Sequence, residues 1–427
     1  MLIKNALMTF KHLSSWLMLA AILLPCMNAP GQQNALRDEA AGTKASLAEP
    51  VAGELLDPSS HEEVFLEEFM NYEMKLLKNW KLRVSATGGW RHDSNIFLSQ
   101  NNPESDMMWS ARPGFQYTYG DEQARLQFLA DYGTQFNFFE RNAAQNSVNQ
   151  FLSLSMALRM KKTSIKLAGR FSDVSGGDLD VGGQAQRVQF TPELVLQYEL
   201  TEKVRVGITG QLQQSSYEAL LSSTTWRVGL FADYAFSPQL RLGLQFNEMV
   251  QEVDQSGRQT GQDYLVRVEW EAMKKLSVTG NAGVHVLTTA SGNQALLPAG
   301  SLGVKYDIRP KTSITAAITA RAQNSPSLVG EYFQSVGAVV GVQQQLGSKM
   351  NLGADLGYDF SEYGSYLAGV ASTRADHTIF ARPWLRYALH RHLSLELFYQ
   401  YTSNDSSGTG SRGFERSLVG AGVTSSW

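Results

Sequence analysis

The stretch that decides the fold class is residues 240–247, which read LRLGLQFN. Its four apolar residues fall on one face of an extended chain, and its polar residues and glycine fall on the other. Such strict alternation is typical of a half-buried β-strand and not of a helix. The same alternation recurs at 264–270 and at 393–401. We therefore predict that this region is all-β.

Short polar turns divide the alternating region at intervals of roughly 40 residues, and each interval holds two long strands and a longer loop, the rhythm of a transmembrane β-barrel. The turns lie at Gly120–Asp121, Lys161–Lys162, Thr201–Lys203, Ser237–Pro238, Met273–Lys274, Arg309–Pro310, Gly347–Ser348 and His390–Arg391. Eight such turns predict a transmembrane antiparallel β-barrel of about 18 strands, an even number with both ends on the turn side. A propeller is the alternative with a similar period, but its repeats hold four short strands.

Aromatic residues gather just before the turns, on the apolar face. We expect these side chains to form a belt at one membrane interface, a placement that the core of a soluble sandwich would not require. They are Tyr117, Tyr119, Tyr198, Tyr234, Phe236, Trp270, Tyr306 and Tyr387, and the chain ends on an aromatic residue at the same level, Trp427. By the same alternation Trp90 faces lipid at the opposite interface.

The N-terminus predicts export. Lys4 and Lys11 precede an apolar run that ends at Pro25, which is the pattern of a secretory signal peptide over residues 1–29. That run is far shorter than the roughly 20 residues of a membrane-spanning helix, which argues against the alternative of an anchor. The only cysteine, Cys26, lies in this leader. A processed chain would therefore have no thiol for a disulfide or metal site.

Three segments follow the leader. Residues 30–60 are rich in Gln, Ala, Gly and Pro without periodicity, so we predict a flexible linker. Ser60 and Glu63 have the form of a capping box, and apolar residues then recur at helical spacing, which predicts an amphipathic helix over 61–79. The barrel is predicted over 80–427.

The octet Trp90–Phe97, WRHDSNIF, resembles an aromatic-x-x-Asp-Ser-Asn-Ile-aromatic element that follows the first strand in the family named β-barrel porin 2. Members of that family are associated with exopolysaccharide secretion, so the resemblance implies export components as partners. The final strand, which alternates apolar residues and ends at Trp427, resembles the strand by which outer-membrane proteins are presented to the barrel assembly machinery. We also expect contact with the lipid and lipopolysaccharide of the outer membrane of a two-membrane bacterium.

Several functional classes are disfavoured. His92, Asp93 and Ser94 cannot form a triad among themselves, because neighbours on an extended chain point in alternate directions, and we expect no enzyme. The glycine-rich stretch Asp173–Gly183 matches no full calcium-loop motif, and a solvated loop is the preferred interpretation. His390 and His392 on a turn are a weak metal candidate, and we expect no cofactor. A net charge of −3 does not suggest nucleic acid as a partner.

The inward face carries charges of both signs among amides, which predicts a wet, weakly selective channel for small polar solutes. Part of these charges would pair across strands in a purely structural role. The predicted pore-lining residues are Arg125, Asp131, Arg205, Arg227, Asp233, Arg241, Arg267, Glu269, Arg321, Asp355, Arg382, Arg386 and Glu396. Two alternatives stay open: a structural or interaction barrel (an adhesin or assembly partner) with a closed lumen, and a transporter with an apolar inner pocket. Loops at 94–107 and 174–186, or the helix at 61–79, could narrow the lumen.

Overall fold

A computed structural model describes residues 74–77, 80–121, 124–289, 292–327, 329–365 and 373–427. The predicted signal peptide and linker lie outside these residues. No helix in the described ranges is long and apolar enough to cross a membrane. The strands are β1 Met74–Leu77, β2 Trp80–Asp93, β3 Asp106–Tyr119, β4 Leu126–Phe139, β5 Ser147–Arg159, β6 Thr163–Asp178, β7 Gly183–Glu199, β8 Val204–Tyr217, β9 Ser223–Ser237, β10 Leu240–Val253, β11 Gly257–Met273, β12 Leu276–Thr288, β13 Gln294–Arg309, β14 Thr312–Asn324, β15 Glu331–Leu346, β16 Met350–Ser365, β17 Ala375–His390, β18 Leu393–Ser407 and β19 Phe414–Ser426, with one 3-10 turn at Ala143–Gln145.

Strands β2 to β19 form a closed antiparallel barrel in which every strand pairs with its neighbours in sequence. The ring closes where β19 pairs with β2, from Leu418 opposite Asp93 to Ser426 opposite Ser85. At the end of this seam the backbones of Trp427 and Val84 exchange two hydrogen bonds of 2.8 Å. The predicted count of 18 barrel strands is confirmed, and so are the eight turns, because each of them joins two consecutive strands.

The helix predicted over 61–79 is wrong for the part that the structure describes. Met74–Leu77 forms the short strand β1, which pairs with β2 from Leu82 to Trp80. The physical reason is that β19 ends opposite Ser85, so the first residues of β2 would otherwise present unpaired backbone groups. The free edge of β2 outweighs the local helical periodicity. Residues 61–73 lie outside the described part of the chain.

Alternate residues of each strand divide the barrel into an apolar outer face and a polar inner face. On β10, Leu244 is 69% exposed, whereas Asn247 is buried. Trp90 lies ten residues after Trp80 on β2, which is roughly 33 Å along the strand and about 25 Å along the membrane normal at a tilt near 40°. This height matches the apolar band of outer-membrane barrels, in which short turns face the periplasm. The protein is therefore an outer-membrane β-barrel.

Candidate functional site

The most extensive charge network of the inner wall joins β8, β9, β10 and β11. The Asp233 carboxylate accepts hydrogen bonds from Arg205 Nε at 2.9 Å and Arg267 Nε at 3.1 Å. Glu269 pairs with Arg205 Nη2 at 2.6 Å and with Arg241 Nη1 at 3.4 Å. The structure thus brings together five of the predicted pore-lining residues, three guanidinium groups against two carboxylates. This part of the wall carries a positive excess that is spread over four strands.

A second network lies on β16, β17 and β18. Glu396 accepts hydrogen bonds from Arg386 Nη2 at 2.7 Å and from Arg382 Nη2 at 3.4 Å. Asp355 accepts a hydrogen bond of 3.2 Å from the indole nitrogen of Trp384. The charges of this network balance. Its arginines are 7% exposed or less at their side chains, so they lie flat along the wall.

The remaining predicted pore-lining residues are placed apart from these networks. Asp131 accepts a hydrogen bond of 3.2 Å from Gln116, and Arg227 pairs with Asp263 at 3.6 Å. Arg321 lies on β14. Arg125 is different from the expectation, because it precedes β4 on an exposed turn. It lies at the rim of the barrel and not on the wall of a strand.

Aromatic side chains on the inner face are functional candidates that were not among the predicted pore-lining residues. Phe231, Phe380, Trp384 and Phe398 are inward-facing, and each is paired in register with a glycine of the neighbouring strand: Gly207, Gly357, Gly353 and Gly420. A Cβ at Gly207 would overlap the Phe231 ring. Each ring therefore covers a glycine on the wall, an arrangement that stabilises glycine in a strand. A glycine opposite an inward-facing aromatic residue can be recognised only when the pairing register of the two strands is known.

Guanidinium groups stack on three of these rings, including Arg386 at 5.7 Å from the centre of the Trp384 ring. Arg267 lies 4.4 Å from the centre of the Phe231 ring, and Arg382 lies 5.0 Å from that of Phe398. Cation–π contacts at such distances hold an arginine against an apolar surface while leaving it electrostatically active. The inner wall can thus offer a solute both hydrogen-bonding edges and flat apolar faces.

The octet WRHDSNIF lies at the seam between β2 and β19. The Asp93 carboxylate takes three hydrogen bonds from Arg416 on β19, two from Nε at 3.0 and 3.1 Å and one from Nη2 at 2.5 Å. Ser94 exchanges bonds with Ser417 through its backbone at 3.0 Å and through its hydroxyl at 2.8 Å. The motif is a clasp between the first and last strands of the barrel.

The same motif bends the following loop into the mouth. The Asn95 side chain donates to the carbonyl of Ser99 at 2.8 Å and to that of Glu415 at 3.0 Å, and it accepts from the Ser99 amide at 2.9 Å. Ile96 is then 0% exposed and Leu98 is 2% exposed. Residues 95–98 therefore fold back into the barrel, within one of the two loops predicted to narrow the lumen, whereas residues 100–104 are exposed.

The tip of the β6–β7 hairpin, residues 179–182, reaches the opposite side of the mouth. The backbone carbonyl of Asp180 accepts hydrogen bonds from Arg374 at 3.4 Å and from Arg412 at 3.2 Å. These arginines lie before β17 and between β18 and β19, on the far side of the ring from β6 and β7. Gly182 has φ +64, and a Cβ there would lie 2.5 Å from the Arg412 side chain. The hairpin tip thus spans the mouth.

Electrostatics at the hairpin tip depend on two carboxylates and the surrounding arginines. Burial, together with the neighbouring Asp178 carboxylate, raises the pKa of Asp180 to about 7, although Arg321, Arg374 and Arg187 oppose the rise. Asp178 itself caps the turn, because its Oδ1 accepts from the amides of Asp180 at 3.0 Å and of Val181 at 3.1 Å. Asp178 and Asp180 belong to the glycine-rich stretch Asp173–Gly183, which matches no full calcium-loop motif. In the described ranges no group of three or more His, Cys, Asp or Glu side chains could hold a metal ion.

The predicted interface aromatics lie on the outer face of the barrel. Eight of them are exposed there, and Tyr117 and Tyr119 are half-buried because both pack against Trp80, with ring centres 4.8 and 4.5 Å apart. The exposed eight are Trp90, Tyr198, Tyr234, Phe236, Trp270, Tyr306, Tyr387 and Trp427. Trp109 stands opposite Trp90 in register and is 54% exposed, so it adds to the belt at the loop end.

The sequence matches no family model and no curated protein. Among solved structures, the barrel is similar to OccAB3 of Acinetobacter baumannii, with 9% identity, a TM-score of 0.45 and coverage of 82% of this chain and 100% of that one. It is also similar to the outer membrane protein opdK of Pseudomonas aeruginosa, with 12% identity, a TM-score of 0.44 and coverage of 81% and 99%. The siderophore receptor PirA of Pseudomonas aeruginosa follows at 10% identity, a TM-score of 0.38 and coverage of 81% and 80%. These values describe a likeness of barrel architecture.

Proposed function

We propose that this barrel is a passive channel for small polar solutes in the outer membrane. The observation that carries the proposal is the inner wall, where arginine and carboxylate networks alternate with amides and flat aromatic faces. A wall of this kind hydrogen-bonds hydroxyl-rich solutes and ions without a strong field of one sign. Its partners on this proposal are outer-membrane lipid and lipopolysaccharide, and the assembly machinery that inserts barrels.

The loops at the mouth of the barrel set the size of the solute that can pass through the channel. The hairpin tip at 179–182 bonds to Arg374 and Arg412 on the far side, and loop 94–105 contacts the same hairpin, where Gln184 donates to the Ile96 carbonyl. A small solute can pass beside such loops, whereas a polymer chain would have to displace them. Polysaccharide export, implied by the family resemblance, is therefore left out of the proposal.

Single-channel conductance in a planar bilayer tests the proposal. The purified barrel is compared with a variant in which the hairpin tip, residues 179–182, is replaced by Asn-Gly, a turn that suits a two-residue hairpin. We expect a steady, weakly selective current in the parent chain and a larger current in the variant. Silence in both proteins would contradict a channel and would favour the interaction barrel with a closed lumen.

A further inference from the structure

The pairing of β13 with β14 stops short of the loop end of the barrel. Its last rung is Gly300 opposite Ala320. The remaining residues of β13, Gln294–Ala299, pair with β12 on one side, and the described residues of β14 give them no partner on the other. β14 meanwhile continues along β15 as far as Asn324. The loop end of this seam is therefore a gap in the wall of the barrel.

Pro298 lies within the gap and cannot donate a backbone hydrogen bond. A proline by itself does not open the wall, because Pro113 on β3, Pro192 on β7 and Pro383 on β17 also lie inside strands. At these three positions the pairing resumes after two residues, whereas at Pro298 it does not. The last paired residue, Gly300, has φ +135, a conformation that favours glycine. The two residues together end the ladder of β13.

The end of β14 leaves the line of the wall toward the lumen. Asn324 Oδ1 accepts a hydrogen bond of 3.2 Å from Gln259 Nε2 on β11, an inward-facing side chain that is 1% exposed. Three strand spacings, about 14 Å, separate β11 from β14, which is more than these two side chains can span between strands that stay in the wall. Beyond β14, the Gly330 amide donates to Ser256 Oγ at 3.0 Å, so the chain there reaches the β10–β11 turn. This displacement of β14 accounts for the gap.

The gap lies inside the apolar band, near its loop-side interface. Leu296 lies ten residues from the belt residue Tyr306 on β13, the same separation as that between the belt residues of β2. Pro298 therefore lies in the hydrocarbon region of the outer leaflet. Backbone groups that stay unpaired in hydrocarbon are costly, so the edge of β13 needs hydrogen bonds from side chains or from water in the lumen. Gln334 on β15 provides one, because its Nε2 donates to the Pro298 carbonyl at 3.1 Å.

The two sides of the gap differ in polarity. Leu296, which is 70% exposed, and Pro298 lie on the outer face of β13. By the alternation of β14, Arg321 and Gln323 lie on the inner face. A molecule that spans the gap would meet apolar side chains toward the lipid, and a cationic and an amide side chain toward the lumen. This environment suits a single-chain amphiphile with an anionic head, such as a fatty acid.

We propose that the gap between β13 and β14 is a lateral portal, through which a single-chain anionic amphiphile passes between the lumen and the outer leaflet. Gln334 bridges β15 to β13 across the outer face of the gap, and we call it the latch of the portal. The inference goes beyond the passage of polar solutes and requires only that the lumen is hydrated at this level. A bilayer lipid that fills the gap without passing is the alternative occupant.

Fluorescence quenching tests whether the gap joins water and lipid. In a chain with Cys26→Ser, Ala299→Cys and Ser301→Cys each place a bimane label on the inner face of β13. Ser301 is the matched control, because it is paired on both sides, with Asn281 and Thr319. The barrels, in nanodiscs, meet iodide in the water or dibrominated phosphatidylcholine in the bilayer. We expect iodide to quench both labels and the brominated lipid to quench the label at 299 alone, whereas equal quenching by the lipid would refute the gap.

Passage is tested with dodecanoic acid that carries a diazirine, which is incorporated into the nanodisc bilayer and activated by light. Leu296→Cys and Gln334→Cys, on the outer faces of β13 and β15, are joined by a short bis-methanethiosulfonate to close the portal. The control joins Ala338→Cys to Tyr358→Cys, which are paired in register where β15 and β16 are continuous. Labelled residues are identified by mass spectrometry.

We expect the probe to label Arg321 and Gln323 on the lumenal side of the open portal. Closing the portal should abolish this labelling, reducing the crosslink should restore it, and the control crosslink should leave it unchanged. Gln334→Ala, which removes the latch, should increase it. Lumenal labelling that persists with the portal closed would show that the probe enters through the mouth, and labelling confined to positions 296 and 298 would show that lipid fills the gap without passing. Either result would overturn the proposal.

Discussion

The clasp between Asp93 and Arg416 predicts a large loss of stability from one small substitution. The two side chains are 4% and 9% exposed, and three hydrogen bonds join them. Asp93→Asn keeps the shape of the side chain but leaves the Arg416 guanidinium buried without its counter-charge. Removing one partner of a buried pair costs about 3–5 kcal/mol. Because the asparagine oxygen can still accept from Arg416 and from the Asn95 amide, we expect the lower end, about 3 kcal/mol.

The free energy of unfolding is measured by guanidinium denaturation of the detergent-folded barrel, with tryptophan fluorescence as the signal. The matched control is the Thr87–Thr424 hydroxyl pair, which bridges the same seam at 3.0 Å. Replacing both threonines by valine should cost about 1 kcal/mol, the net value of a neutral hydrogen bond. A double-mutant cycle with Arg416→Gln isolates the coupling. If Asp93→Asn costs no more than the threonine control, or if the cycle shows no coupling, the clasp is not what stabilises the seam.

Three further predictions concern the mouth, the lumen and the wall. Burial and a neighbouring carboxylate raise the pKa of Asp180 from 3.8 to about 7, so the packed hairpin tip binds an extra proton between these values and loses stability as the pH rises through this window. Hydrogen exchange at the tip, corrected for its intrinsic rate, should be faster at pH 8 than at pH 5, and Asp180→Asn should abolish the difference. Glu396→Gln should make the channel more anion-selective by about five-fold in permeability ratio, since one unbalanced charge is worth about 1 kcal/mol in water; Glu248→Gln on the outer face should leave the reversal potential unchanged, and equal shifts would argue against a lumenal role. Gly207→Ala should destabilise the barrel by about 1–3 kcal/mol through overpacking against the opposing ring, and unchanged unfolding would show that the ring is free to move.

The number of strands and the assignment of residues to the inner or outer face could be predicted, because both depend only on residues that are close together in the sequence. Side chains on a strand alternate between the two faces with a period of two residues. Each of the eight turns is marked by a few consecutive turn-forming residues such as Ser237–Pro238. Neither property requires the partner strand to be known. Arg125 is the exception, because it lies in a turn before β4, where the two-residue period of a strand does not apply.

Features that depend on pairing across the sequence could not be predicted from alternation. Alternation places Phe398 on the inner face with Glu396 and Gln400, but only the pairing register shows that its ring covers Gly420. Strand β1 likewise depends on the length of β19, whose end leaves the start of β2 open. The helical spacing before Met74 is a local signal. For Met74–Leu77 it is overridden by the unpaired edge of β2, which exists because β19, more than 300 residues away in sequence, ends opposite Ser85.

The octet at 90–97 links the closure of the barrel to the width of its mouth. Asp93 and Ser94 bond to β19, and the next two residues, Asn95 and Ile96, turn the loop inward and bury it. Since the clasp can form only after β19 has reached β2, the loop acquires its inward anchor at Glu415 in the same step that closes the ring. The mouth therefore narrows only in a barrel whose seam is complete. This coupling gives a physical reason for the position of the motif at the end of the first barrel strand. A shift of one residue along the strand would turn the Asp93 side chain to the opposite face of the sheet.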